Sequence, residues 1–206
     1  HGQNIFKDGT VIIPGQVSIS NAYTSIQLAS QFGGEDVVVS QYLNTTTPVT
    51  ITGATSGVKA QVIGVKAGTS TTQPVLYLQY IATGTDNETT TFSNSENISA
   101  DASITHTTTY ATNVASATTH TSAAQTGVSA KVENGVYYIR GQFVRVAEQT
   151  HVVSDSDPTA NARVGFSITE SLVTPESDSS LTDNATGSSN FAAKGAHRLK
   201  IELTLT

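Results

Sequence analysis

The chain has 206 residues and a formal net charge of −6, and its length corresponds to one or two domains. Charged residues make up 13% of it, against about 25% in ordinary globular sequences, and Thr and Ser fill most of the difference. The acidic balance argues against a nucleic-acid-binding surface, which needs clustered Lys and Arg. The sequence contains no Cys, which excludes disulfides and thiolate chemistry, and no apolar run reaches the ~18 residues of a transmembrane helix.

The two ends of the sequence indicate that more chain exists. It begins with His1, contains no Met and ends within the alternating pattern of residues 200–206. Because a complete translated chain begins with Met, we expect this to be a segment of a longer protein. Residue 1 is then uninformative about a signal peptide.

Strand patterns recur along the chain, whereas no window carries helical periodicity between capping signals. Thr is β-branched and also favours an extended backbone. The predicted strands, in chain order, are two short ones within 9–19 separated by the turn Pro14-Gly15, then 37–42, 49–52, 58–65, 75–81, 136–146, 164–169 and 198–205. We therefore predict an all-β protein, an antiparallel β-sandwich or barrel domain with a small inserted β-domain.

Residues 136–146 (VYYIRGQFVRV) combine large apolar side chains with alternation. Read as one strand, they place Tyr137, Ile139 and Phe143 on one face. Gly141 lies inside the run and predicts a bulge or a bend. The opposite face would carry a second apolar set, formed by Val136, Tyr138, Val144 and Val146.

The C-terminal strand shows the clearest alternation in the sequence. Its apolar face is formed by Leu199, Ile201, Leu203 and Leu205, and its polar face by Arg198, Lys200, Glu202 and Thr204. Such a strand buries one face and exposes the other.

Three compositional zones suggest the domain organisation. We predict that 1–43 and 131–206 form one discontinuous outer β-domain and that 44–92 form a small inserted β-domain. The Thr/Ala-rich tract 93–130 lacks large apolar residues, so we predict an extended or intersubunit segment that is ordered only against a partner chain.

The histidines do not define a metal site. His106 and His120 lie between threonines, 14 residues apart, and zinc requires three or four ligands. One His from each chain of a threefold fibre could supply three, which is a minor alternative. We expect structural roles for His151 and His197, assign no role to His1, and predict neither a metal nor any other cofactor.

The acidic residues lack a catalytic pattern as well. Ser154–Pro158 has two carboxylates in a polar turn without the Gly and Glu of an EF-hand loop. Glu176 and Asp183 belong to an acidic loop region, where a glycosidase would need two carboxyl groups at a defined separation. No GxSxG elbow or phosphate-binding loop is present. We therefore predict no enzymatic activity.

Several long segments together carry a resemblance to a known family. They are 3–10 (QNIFKDGT), 51–60 (ITGATSGVKA), 134–150 (NGVYYIRGQFVRVAEQT), 163–176 (RVGFSITESLVTPE), 181–190 (LTDNATGSSN) and 195–200 (GAHRLK). These resemble an uncharacterised domain family of tail, baseplate and tail-fibre-like proteins of tailed bacteriophages. They are most similar to virion proteins of T-even-like cyanophages. The match covers 1–92 and 131–206 better than 93–130.

The resemblance implies a virion structural protein, located in the phage tail outside the cell. It implies a fibre-type oligomer, a homotrimer that assembles with other tail proteins, with attachment to host surface glycan as a further role. The residues expected in the core or in assembly contacts are Tyr137, Ile139, Arg140, Phe143, Arg145, Leu199, Ile201 and Leu203.

The residues within the resembling segments allow two structural expectations. We favour ion pairs joining Arg140 or Arg145 to an acidic partner, either Glu148 or Glu170, because a charge in a strand interior needs a partner. The glycines at 135, 141 and 195 are expected where φ is positive or where backbone approaches closely.

Two other functions remain open. A receptor- or glycan-binding module could use Tyr42, Tyr77 or Tyr80 as a stacking platform for sugar rings. A tail-borne glycan depolymerase could use carboxylates near Glu176 and Asp183. An aromatic content of 6% without Trp weakens both, and the depolymerase also lacks a repeating β-helix period.

Overall fold

A computed structural model describes residues 5–206, and it confirms the all-β prediction, with the strands in antiparallel sheets. Short 3₁₀ turns lie at Val39–Tyr42 and Ser179–Leu181. Within residues 5–206, no helix has the length and apolar character needed to cross a membrane. The strands are β1 Thr10–Ile13, β2 Val17–Leu28, β3 Gln31–Phe32, β4 Glu35–Asp36, β5 Thr50–Gly53, β6 Lys59–Lys66, β7 Val75–Ala82, β8 Asn97–Ala100, β9 Ile104–Thr105, β10 Thr109–Tyr110, β11 Ala115–Val132, β12 Gly135–Ile139, β13 Gln142–Val146, β14 Gln149–Ser154, β15 Phe166–Val173 and β16 Arg198–Leu205.

The chain divides into two compact units. Unit 1 is formed by the described residues up to 18 together with 130–151 and 163–206, and unit 2 by 19–129 and 152–162. This division differs from the predicted one, because 19–43 and 93–129 lie in the same unit as 44–92. The reason is strand pairing across the predicted boundaries. β2 pairs with β7, and β8 pairs with β5.

Unit 2 is built around a closed ring of strands. The largest sheet has the order β14-β11-β2-β7-β6-β5-β8, and β8 also pairs with β11. Six strands therefore form a hydrogen-bonded circuit, which is the topology of a β-barrel. Its core is apolar and includes the completely buried side chains of Ile26, Leu28, Ile51, Leu76 and Ile98.

The Thr/Ala-rich tract 93–130 is extended, as one of the two predicted alternatives required, and forms β8 to β10 and most of β11. Its β11 pairs with β8 in antiparallel register, with Thr118 opposite Asn97. Small side chains allow close packing here, since Ala117 is completely buried and Thr119 is 2% exposed. The Thr119 hydroxyl donates to the Ser93 carbonyl at 2.7 Å. Backbone pairing and hydroxyl bonds thus order a tract that has few large apolar residues.

The strand predicted at 37–42 is wrong. Residues Val39–Tyr42 form a 3₁₀ turn. In this geometry, side chains three residues apart lie on the same side, and both Val39 and Tyr42 are buried in the core. An apolar run that looks like a short strand therefore buries its side chains through a turn.

Unit 1 contains two small sheets. One has the order β1-β12-β13, and the other is the ribbon β15-β16. The predicted Pro14-Gly15 turn is wrong, because residues 14–16 link β1 to β2 without a turn, and the Gln16 carbonyl there accepts from the Glu133 N–H at 3.0 Å. The main apolar cluster of this unit is small and consists of Ile139, Val146 and Leu203, with partly buried apolar side chains packed around them. Tyr138 and Leu181 are also buried in unit 1.

Candidate functional site

Residues 136–146, predicted as one strand, form a hairpin. Ile139 is directly opposite Gln142, so the turn consists of Arg140 and Gly141. Both have positive φ, at 47° and 84° respectively, as required at the two central positions of a type I′ turn. Gly adopts this backbone without steric cost, and the predicted bend at Gly141 is a chain reversal.

The reversal changes which side chains share a face. Tyr138 is opposite Phe143, and Tyr137 is opposite Val144. Phe143 therefore lies on the face of Tyr138, where Phe6 also packs, with ring centroids 5.8 Å from Phe143 and 5.5 Å from Tyr138. Grouping Phe143 with Tyr137 and Ile139 was wrong, and its side chain is 57% exposed.

Four of the predicted residues meet in the core of unit 1. Ile139 is 4% and Leu203 is 7% exposed, and the partly buried Tyr137 and Ile201 pack against them. The Tyr137 ring contacts Phe166 edge-on, with centroids 5.0 Å apart. The alternation of the C-terminal strand correctly placed Ile201 and Leu203 on a common face.

The predicted arginine pairing is observed for Arg140. Its Nη1 donates to Glu170 Oε2 at 2.8 Å, and its backbone N–H donates to Asp8 Oδ1 at 2.6 Å. Both side chains of the ion pair are partly exposed, so the pair adds little to the free energy of unfolding. Arg145 is exposed and forms no ion pair within residues 5–206. Glu148 pairs instead with Lys131, at 3.0 Å.

The ribbon β15-β16 exposes most of its surface. Leu172 lies opposite Leu199, and Ile168 lies opposite Leu203, so their side chains share one apolar face. At the far end of this face, Leu172 is 65% and Leu199 is 56% exposed. Leu199, predicted as a core or assembly residue, is therefore uncovered in this chain.

The side-chain amide of Gln149 forms hydrogen bonds with backbone groups of β16, as a third strand of the ribbon would. Its amide Nε2 donates to the Leu203 carbonyl, and its Oε1 accepts from the Leu205 N–H, each at 2.8 Å. The side chain thereby satisfies two backbone groups on the outer edge of β16. Sequence reasoning gave Gln149 no separate role, because nothing local indicates a partner more than fifty residues away.

The carboxylates of the acidic loop region after β15 have hydrogen-bond partners nearby in the chain. Glu176 accepts a hydrogen bond from Lys194 at 2.5 Å, and this contact lowers the pKa of Glu176 to about 2. A glycosidase acid requires a raised pKa, so Glu176 has the opposite property. The carboxylate of Asp183 accepts from the Ala185 N–H within its own turn. At Gly195, a Cβ would lie 2.3 Å from the Leu181 carbonyl oxygen, a close approach as predicted.

The described histidines form no metal site, and two of them form hydrogen bonds within the chain. His106 accepts from the Val38 N–H through Nδ1, so its Nε2 donates to the Ser116 carbonyl. His120 Nδ1 accepts from the Ser122 N–H. In the described part of the chain, no group of three His, Cys, Asp or Glu side chains is arranged to hold a metal. His1 lies outside the described residues.

The Ser154–Pro158 stretch is a polar turn. The Ser154 hydroxyl accepts from the N–H groups of Ser156 and Asp157. The Asp155 carboxylate pairs with Lys66 at 2.5 Å, and the Asp157 carboxylate accepts from Thr159. Both carboxylates thus have partners inside unit 2.

The tyrosines proposed as a sugar platform are largely inaccessible. Tyr42 is completely buried and Tyr77 is 9% exposed. Burial raises the pKa of each hydroxyl to about 12. Tyr80 is partly buried and packs on Phe92 with centroids 5.8 Å apart. Stacking of a sugar ring requires an open aromatic face, which neither Tyr42 nor Tyr77 offers.

A buried carboxylate that sequence reasoning missed organises one end of unit 2. Glu96 is 3% exposed. Its Oε2 accepts from the N–H groups of Thr55 and Ser56, and its Oε1 accepts from the Ser56 hydroxyl and the Ser93 N–H, all within 2.8 Å. The site is saturated with donors, so Glu96 joins two turns and offers no oxygen to a ligand.

Comparison with known proteins gives one match. Residues 114–206, slightly less than half of the chain, match a family described as a domain of unknown function, DUF4815. The matched range contains β11 to β16, and therefore the hairpin and the ribbon. Searches of curated proteins and of solved structures found no match.

Proposed function

We propose that this chain is a structural component of a bacteriophage tail, associated with the baseplate or a tail fibre. It acts by assembling with copies of itself and with neighbouring virion proteins, without chemical turnover, and host attachment is a further role. The resemblance of the six sequence segments supports the phage context. The resemblance also implies three copies about an axis.

The observation that carries the assembly role is the ribbon β15-β16. Of its sixteen residues, only Leu203 is buried. A two-stranded ribbon is marginal in water without cover on one face, and here the uncovered end carries Leu172 and Leu199. A neighbouring subunit would supply the missing contact at Leu172.

The chemistry of the whole sequence is consistent with an exposed particle component. Without Cys or Met, the chain lacks the side chains that oxidise most readily. Cross-strand Thr pairs also stabilise sheets without charge, which suits close packing between identical chains.

Sedimentation of the purified chain tests this proposal. We expect an oligomer, a trimer in particular, and dissociation on Leu172→Asp because a charge would enter an apolar contact. Ser171→Asp is the matched control, since it adds the same charge on the opposite, polar face of β15. Circular dichroism should show that both variants remain folded. A wild-type monomer at micromolar concentration contradicts the assembly role.

The phage context has its own test. Electron cryomicroscopy of the intact particle should locate the chain in the tail and count its copies around the axis. Absence of the chain from purified particles contradicts this part of the proposal.

A further inference from the structure

A groove of about 570 Å³ lies between the outer edges of β13 and β16, inside unit 1. Each of these is the last strand of its sheet. The groove is lined by Gln142, Phe143, Val144, Arg145, Arg198, Leu199 and Ile201. Both walls are thus strand edges, which present backbone donors and acceptors to an added chain.

Register identifies the free backbone groups on β13. The turn places Ile139 and Gln142 as a bonded pair. Because bonded and non-bonded pairs alternate in an antiparallel ladder, Phe143 and Arg145 direct their N–H and C=O groups toward the outer edge.

The same reasoning applies to β16. Gly165 and Thr206 exchange two backbone bonds, at 2.9 and 2.8 Å. Alternation from that pair turns the backbone groups of Leu199 and Ile201 outward. Gln149 occupies the next outward groups along the same edge, at Leu203 and Leu205. On this edge, the Leu203 carbonyl and the Leu205 N–H already form with the Gln149 amide the two hydrogen bonds that a neighbouring strand would form.

The groove also carries unpaired positive charge. Arg145 and Arg198 are exposed, and neither belongs to an ion pair in the part of the chain that the structure describes. Guanidinium groups bind carboxylates through strong, charge-assisted hydrogen bonds. Two such groups on one groove in a chain of net charge −6 favour an acidic occupant.

The apolar and basic side chains of the groove are sorted by face. Val144 and Ile201 pack against the small core of unit 1, and Leu199 shares the face of Ile201. Arg145 follows Val144, and Arg198 precedes Leu199. Because neighbouring side chains of a strand alternate, both arginines point to the opposite face of their strand. An added strand would therefore place apolar side chains inward and acidic side chains toward the arginines.

We propose that this groove binds an extended acidic strand of another protein, with carboxylates alternating with apolar residues. Its backbone extends the edge of β16 beyond Gln149, its carboxylates bind Arg145 and Arg198, and its apolar side chains cover Leu199. The proposal rests on the assembly function and names the chemistry of one partner.

Fluorescence anisotropy with a labelled peptide of alternating Glu and Val, blocked at both ends, tests the groove directly on the intact chain. We expect saturable binding that weakens about tenfold or more on Arg145→Glu or Arg198→Glu, because each removes a charge-assisted contact. Arg163→Glu makes the same charge change at an exposed site outside the groove and should leave the affinity unchanged. A peptide of alternating Lys and Val should not bind.

N-methylated peptides distinguish strand addition from charge attraction. Methylation of one alternate set of amides should abolish binding, and methylation of the other set should preserve it, since only one edge of the peptide faces β16. Equal binding of both methylated peptides overturns the proposal, as does an absence of saturation up to about 1 mM peptide.

Sedimentation separates this inference from the assembly function. If Arg145→Glu or Arg198→Glu dissociates the protein alone, the groove is occupied by a second copy and the proposal of a different partner fails. If the oligomer persists in these variants but no peptide binds, the groove proposal fails while the assembly function stands.

Discussion

At the scale of single residues, the acidic side chains of this chain mainly hold backbone in place. Glu35 accepts from the N–H groups of Thr107 and Thr108, and Asp86 accepts from those of Glu88 and Thr89. A carboxylate that accepts backbone hydrogen bonds fixes a turn by satisfying donors that a strand ladder leaves unpaired. The abundant hydroxyl groups beside these carboxylates add further donors.

Glu96 is the most buried of these carboxylates, and Glu96→Gln tests its role. A Gln side chain replaces one accepting oxygen by an NH₂ group, which would face donors that are already in place. We expect the free energy of unfolding to fall by about 3 kcal/mol, measured by urea titration. Glu88→Gln makes the same change on an exposed side chain and should have little effect. An equal effect of both substitutions would show that the Glu96 contacts are unimportant.

The turn carboxylates predict a loss of stability in acid. The Thr89 hydroxyl and backbone bonds lower the pKa of Asp86 to about 2, and the Lys194 contact does the same for Glu176. A depressed folded-state pKa contributes stability above the unfolded pKa of about 4 and loses it as pH falls toward about 2. Urea titrations across this range should show decreasing stability.

Thr89→Val should reduce this pH dependence by removing the hydroxyl donor to Asp86. Thr90→Val is the control, because Thr90 is an exposed neighbour. Stability that stays constant from about pH 4 to about pH 2 is incompatible with the lowered pKa values.

At the scale of elements, the geometry of the Arg140-Gly141 turn decides which side chains of β12 and β13 share a face. The two-residue turn at Arg140-Gly141 directs Phe143 and Arg145 away from the small core, and Tyr137 and Ile139 into it. The same turn brings Arg140 to Glu170 on the ribbon. The exposed edge of β13 is a consequence of this hairpin.

Gly141→Ala should weaken the hairpin. At φ 84°, a side chain at Gly141 costs about 1–2 kcal/mol, and the amides of β12 and β13 should exchange faster with deuterium. Gly165→Ala is the matched control, since Gly165 has open space around it and no positive φ. Unchanged exchange in β12 and β13 of Gly141→Ala would contradict the assigned turn.

At the scale of the molecule, the two units differ in the size of their main buried apolar cluster. The core cluster of unit 2 contains sixteen buried apolar residues, and that of unit 1 contains three. Local stability follows buried apolar contacts. The small core of unit 1 is consistent with our proposal that a neighbouring subunit completes it.

Hydrogen–deuterium exchange should therefore show strong protection in β5, β6 and β7 and weak protection in β15 and β16. Under conditions where the chain assembles, protection should rise in the ribbon and stay constant in the barrel strands. Leu172→Asp should prevent the rise, and Ser171→Asp should not. Full protection of the ribbon in a monomer would contradict an incomplete unit 1.

Sequence pattern by itself determined the all-β class and the common face of Ile201 and Leu203. These features depend on alternation and on backbone preferences within a few residues. The Arg140–Glu170 pair was one of several candidates, but the reason given for it fails, because Arg140 lies at an exposed turn and Arg145, inside β13, forms no ion pair within residues 5–206.

Only the tertiary structure decided that the strands of unit 2 close into a ring, that Phe143 faces away from Ile139, and that Gln149 completes the edge of β16. Local periodicity fixes which side of a strand a residue occupies, but a chain reversal can transfer it to the other face. Pairing partners far apart in the chain depend on which edges meet in space, and no local pattern encodes that meeting.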